Sequence, residues 1–179
     1  MGSGTESHRE QSTALGAALA RLGVHLLTGG GGGVMQEVSR AFCETPGRVG
    51  LAIGVLPAAG PGGGRRSAAG VAPPGYPNPW VEIPIFTHLP LSGARGREQG
   101  SRNHINILSS DVVVALPGGA GTASEVALAV EYGRPVLAFL SDRAELSGLP
   151  DAVRCVGEID AVVAFLRKVL GASGPASGT

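Results

Sequence analysis

With 179 residues the chain is long enough for one domain with a substantial buried core, and it needs no disulfide framework or structural metal to hold it. Its 14 basic and 14 acidic side chains cancel, which removes any sequence-independent pull toward nucleic acid, and no apolar run approaches the roughly 18 residues of a membrane span. Glycine is the outlier at 30 residues, so many backbone positions call for positive φ or for close approach to something, and a small-molecule partner is favoured.

In chain order, "MGSGTES" reads as the loop leaving a first strand, with nothing ahead of it to be that strand. Either the sheet lacks an edge or central strand, or the true start lies upstream of Met1; the second is the expectation. "ESHREQSTALGAALARLG" places Leu15, Ala18, Leu19 and Leu22 on one stripe at helical spacing, and Gly23 stops it. "VHLLTG" follows as a strand, "GGGGGVMQEVSRAF" runs from a glycine loop into a helix, and "GLAIGVLP" returns as a buried strand.

Residues 58–80 are rich in Gly and Pro and too long for an idle connection, which suggests a lid or an irregular excursion. Arg65 and Arg66 within it could grip a second phosphate or be solvated loop charges; Tyr76 and Trp80 could stack on a ligand ring or pin the loop down. "VEIPIF" resumes as a short or edge strand despite Pro84. A helix from about Ser101 then precedes the strand "DVVVAL", a second helix covers Thr122 to Tyr132, and "PVLAFL" is a further strand. The last helix, "EIDAVVAFLRKVL", carries Ile159, Val162, Val163, Leu166 and Leu170 as its buried stripe, and the segment from Gly171 reads as a disordered tail. Alternating strands and helices predict an α/β domain over residues 1–170, a mostly parallel sheet covered by helices on both faces, with ligands beyond the carboxyl ends of the strands.

Two glycine turns lie at those ends. A glycine-rich strand-to-helix loop aims backbone N–H groups at an anion, helped by the helix dipole. In "TGGGGG" Gly30 and Gly31 fit that role, although tight strand-helix packing explains the run equally well. "PGGAGT" is the stronger signal: Gly118, Gly119, Ala120 and Gly121 clear the backbone, and Thr122 can cap the helix or donate its hydroxyl to a ligand oxygen. Neither turn is a Walker loop, which ends in a lysine, because the only lysine is Lys168 in the last helix. The same count argues against pyridoxal phosphate chemistry. The dinucleotide pattern fails too, with Met35 at its third glycine. Cys43 and Cys155 show no metal spacing or paired framework, and His8, His25, His88 and His104 form no ligand cluster. No metal or resident cofactor is expected, and the cytoplasm is the expected compartment.

"PGGAGTASE", residues 117–125, resembles the PGGxGTxxE signature of the LOG (Lonely Guy) family, long labelled lysine decarboxylase-like, and "LTGGGGGVMQ" is similar to that family's second glycine motif. The resemblance extends from Met1 to about Phe165. It implies a Rossmann-like domain, commonly a homodimer, and cleavage of nucleoside 5'-monophosphates to a free base and ribose 5-phosphate. It also implies that Glu125 and Arg102 are the catalytic pair, although Asn103 stands where the family has lysine and the upstream Met-His pair is absent. That departure resembles a divergent branch that includes molybdenum cofactor carrier proteins. Gly2, Ser3, Asn103 and Met35 are further candidate ligand contacts.

In the enzyme reading Glu125 would stabilise the positive charge that develops on ribose and orient the attacking water. Arg102 would pair with the phosphate or hold the carboxylate ionised. Three function classes remain: a nucleoside-monophosphate hydrolase, a non-catalytic carrier of a phosphorylated pterin cofactor, and a nucleotide-sensing module.

Overall fold

A computed structural model describes residues 1–59 and 72–171. Arg65, Arg66 and the chain beyond Gly171 lie outside the described residues.

Two three-stranded parallel sheets form the centre. The first has the order β1 (Leu26–Thr28), β2 (Ala52–Leu56), β3 (Ile83–Phe86); the second has the order β4 (Val113–Ala115), β5 (Val136–Phe139), β6 (Arg154–Val156). The helices are α1 (Arg9–Arg21), α2 (Val34–Glu44), α3 (Asn103–Leu108), α4 (Ala120–Glu131) and α5 (Ile159–Leu170).

The alternation of strand side chains builds two helical layers. Leu137 and Phe139 of β5 join Leu15 of α1, Phe42 of α2 and Leu166 of α5 in one apolar cluster. The intervening Ala138 turns the other way, toward Val126 of α4, and Val113 packs with Leu128 and with Ile107 of α3. Helices therefore cover both faces, and the expected α/β, Rossmann-like architecture holds. α1 and α2 approach very closely at Gly16: a Cβ placed there would press on the Val38 carbonyl and lie 2.8 Å from the Ala41 Cβ.

Several expected elements need adjustment. The sheet is not continuous, because β1 and β4 are not hydrogen-bonded neighbours. Among the described residues, the start of the chain runs beside β4 on that side. Met1 donates its amino group to the Val114 carbonyl (2.9 Å) and accepts from the Leu116 N–H (2.9 Å), which sets Met1 opposite Ala115 in a parallel register. α4 begins two residues before Thr122, and its cap position is Gly119, with no side-chain cap bond. Thr122 is buried in the first turn, where it packs against Gly118 rather than capping. β6 escaped the sequence reading, since "RCV" is too short to show a period. β3 is an edge strand, as Pro84 suggested.

Candidate functional site

The turns after β1 and β4 meet the first residues of the chain at the carboxyl ends of the strands. Ser3 holds the three pieces together: its N–H donates to the Pro117 carbonyl (2.9 Å), and its own carbonyl accepts from the Val34 N–H that opens α2 (2.9 Å). Gly2 packs on the Val34 side chain, and a Cβ on Gly118 would come 3.0 Å from the Ser3 nitrogen. Gly119 is exposed, with open space where a side chain would be, and Ala120 beside it is exposed as well. Gly121 packs near the Gly93 backbone. Among the described residues, the amides of Ala120, Gly121 and Thr122 meet no acceptor, as expected of the first turn of a helix.

Arg102 closes the wall on the other side. It directly precedes α3 and is buried at 4% exposure, yet no carboxylate pairs with it among the described residues. Its Nη1 donates to the Asn103 Oδ1 at 3.3 Å, and its Nε is buried without an acceptor. The guanidinium lies against the Cα of Gly29, where a Cβ would meet its carbon at 2.8 Å. A side chain there would have to displace the guanidinium. A desolvated cation without a counterion is costly, and an anion in the cleft would offset that cost.

Gly30 and Gly31 are braced from the long loop. Asn78, missed by the sequence reading, donates its N–H to the Gly30 carbonyl (2.7 Å) and its Nδ2 to the Gly31 carbonyl (2.9 Å). Its Oδ1 accepts from the Trp80 N–H at 3.0 Å, so it braces both the turn and its own loop. The asparagine of "YPNPW" was the available signal, since Asn before Pro favours a side-chain-bonded turn. The Tyr76 ring lies over Gly31, in line with a stacking or pinning role, while Trp80 receives the Cys43 thiol on its carbonyl.

Glu125 lies elsewhere. It is half-buried on α4 and lines a cavity of about 410 Å³ between β1 and β4, together with Met1 and Met35. Arg102 is not among the lining residues of that cavity, and no ion pair links the two among the described residues. The charge that Glu125 acts on is the Met1 amino group. Burial pulls the amine's pKa below its ordinary value of 8.0, and the Glu125 carboxylate opposes that shift. Below about pH 8 the unfolded chain therefore binds a proton that the folded chain resists. Stability should be full above about pH 8 and fall as pH drops through the interval down to the folded value. Urea unfolding between about pH 6 and 9 checks this, and acetylating Met1 should flatten the slope.

Among the described residues no group of His, Cys, Asp and Glu could hold a metal ion, and no helix is long and apolar enough to cross a membrane.

Comparison with known proteins places this geometry in context. The model of the SLOG cluster4 family matches residues 1–161. Among solved structures, the molybdenum cofactor carrier protein MCP from Chlamydomonas reinhardtii is similar at 30% identity and a TM-score of 0.67, over 96% of this chain and 95% of that one. The molybdenum cofactor binding protein from the phototrophic bacterium Rippkaea orientalis is similar at 28% identity and a TM-score of 0.66, over 93% and 90% respectively. A structural genomics target at 22% identity and a TM-score of 0.63, over 89% and 87%, shares the fold. No curated protein sequence matches the chain.

Proposed function

From the premise that the chain belongs to the SLOG cluster4 family, we propose that it is a binding protein whose cargo is a phosphorylated pterin of the molybdenum cofactor kind. The observation that carries the reading is the wall made by Arg102: a buried guanidinium with an orphan Nε and no carboxylate partner among the described residues. It occupies the same end of the sheets as the unspent amides of Ala120, Gly121 and Thr122. Together they supply a fixed cation and a fan of N–H donors, which is what a phosphate monoester requires. The likeness to a molybdenum cofactor carrier protein and a molybdenum cofactor binding protein supports the pterin half of the proposal. Holding cargo needs no group that changes protonation during a cycle, and Glu125 faces the Met1 amine rather than Arg102.

Hydrolysis of a nucleoside monophosphate is the second reading. Its support is Glu125 itself, set four residues beyond Gly121 on the helix that follows the glycine turn. A homodimer in the cytoplasm is the setting proposed for either reading, and the exposed Ile83, Ile85 and Phe86 of β3 support self-association.

Mass spectrometry of the molecule that copurifies, together with base release from AMP, separates the two. The expected result is a bound pterin phosphate and no adenine. Release of adenine and ribose 5-phosphate that disappears in Glu125→Gln would replace the carrier reading with the hydrolase.

A further inference from the structure

Tyr76 approaches the turn after β1 more closely than pinning its own loop requires. A Cβ placed on Gly31 would lie 2.8 Å from the Cε1, the Cζ and the Oη of the tyrosine at once. Three bonded atoms with a bend at Cζ are equally far from such a point only when it stands off the ring plane, so Gly31 lies against the flat face of the ring, under its hydroxyl edge. Left-handed backbone is not what calls for this glycine: in this turn positive φ belongs to Gly30 (φ 73°) and Gly33 (φ 60°), not to Gly31. What the missing side chain leaves room for is the ring. The loop itself is held by Asn78, which bonds the Gly30 and Gly31 carbonyls and the Trp80 N–H. Gly31 is buried and Tyr76 is partly exposed, so the ring keeps its rim and its second face for other contacts.

Arg102 meets the same turn two residues earlier, at Gly29. Two residues of chain span at most about 7 Å, so the guanidinium and the aromatic face are anchored about one sugar-sized ring apart. We propose that Tyr76 selects the body of the cargo: its second face stacks on a flat heterocycle whose phosphate, one saturated ring away, is held by Arg102 and the first amides of α4. The inference rests on the phosphate site proposed above and adds to it the requirement for a planar ring. A face already set against glycine backbone, in a loop braced by Asn78, has little freedom left to lose when a ligand stacks on it. Stacking is tolerant of which π system it meets, so the selection falls on phosphate esters that lack a planar ring rather than between heterocycles.

The test titrates the full chain with two probes, 6-hydroxymethylpterin monophosphate and ribose 5-phosphate, by calorimetry, with the fluorescence of the pterin as a second readout. In Tyr76→Leu the preference for the pterin ester over ribose 5-phosphate should fall about 20-fold, and the quenching of pterin fluorescence on binding should weaken with it. Tyr76→Phe should keep both, since the ring remains. Gly31→Ala should lose the preference with the tyrosine still present, because its Cβ pushes the ring aside, and so gives the same answer through a second variant. Arg102→Met, in contrast, should weaken both probes alike, since it acts on the phosphate they share. An unchanged preference in Tyr76→Leu and Gly31→Ala would overturn the proposal and leave the phosphate site standing. So would an equal fall in both affinities, which would make Tyr76 a brace for the turn. Wild-type protein that takes up neither probe would remove the phosphate site itself, and the stacking role with it.

Discussion

Exchanging Arg102 for methionine is expected to weaken capture of a phosphate ester by about 100-fold and, at the same time, to stabilise the empty protein. The two effects have one origin. In the empty protein the guanidinium is buried against Gly29 with an orphan Nε and a single long bond to Asn103, so desolvation is poorly compensated. Methionine is similar in length, flexible enough to fill the space, and carries no charge to desolvate. With ligand present the balance reverses, because losing one member of a buried charge pair costs about 2–5 kcal/mol. Calorimetric titration gives the first quantity and urea unfolding without ligand gives the second. Unchanged affinity would remove Arg102 from the site; a less stable empty protein would make it a structural arginine. Arg102→Lys should recover part of the affinity, since it restores charge without the planar fork.

Gly16→Val should lower stability by about 3 kcal/mol, or roughly 5–10 °C in Tm, through overpacking between α1 and α2. Two effects oppose each other. Glycine inside a helix is unfavourable by about 1 kcal/mol relative to alanine, so any side chain regains part of that. Against this, the first carbon of the side chain would press on the Val38 carbonyl and lie 2.9 Å from the Phe42 nitrogen, and no rotation about χ1 moves a Cβ. The neighbouring atoms are backbone and a methyl, which give way only if the helices separate, so the steric term wins. Urea melts with an unchanged m-value and a lower midpoint would show it; an unchanged midpoint would mean that α1 can shift at little cost.

How much of this could be read beforehand depended on how local the cause was. The stripe at Leu15 and Leu19 and the glycine turns before α2 and α4 are local signals, and they placed the helices and the turns that follow β1 and β4. The cap of α4 was assigned to Thr122 because threonine is a good cap type, but Gly119 supplies the extended backbone there and Thr122 is drawn inward. Arg102 was identified by its place relative to a motif. Its burial against Gly29, and the absence of a described carboxylate beside it, depend on two segments far apart in the chain. The same holds for Glu125, whose neighbour is Met1. The opening segment was legible as irregular, yet its place beside β4 followed only from the structure.

The Val34 N–H that opens α2 is already spent on the Ser3 carbonyl, whereas the first amides of α4 are not. The two helix starts that border the cleft are therefore chemically unequal, despite their similar glycine turns. The proposed phosphate would find donors at α4, while the turn before α2 is braced through its carbonyls by Asn78 and presents Gly31 beneath the Tyr76 ring. On the proposed carrier reading, an elongated ligand would be accepted in one direction only, with its head group at the β4 side and its body lying across toward β1. A symmetric pair of phosphate loops would leave that direction undetermined.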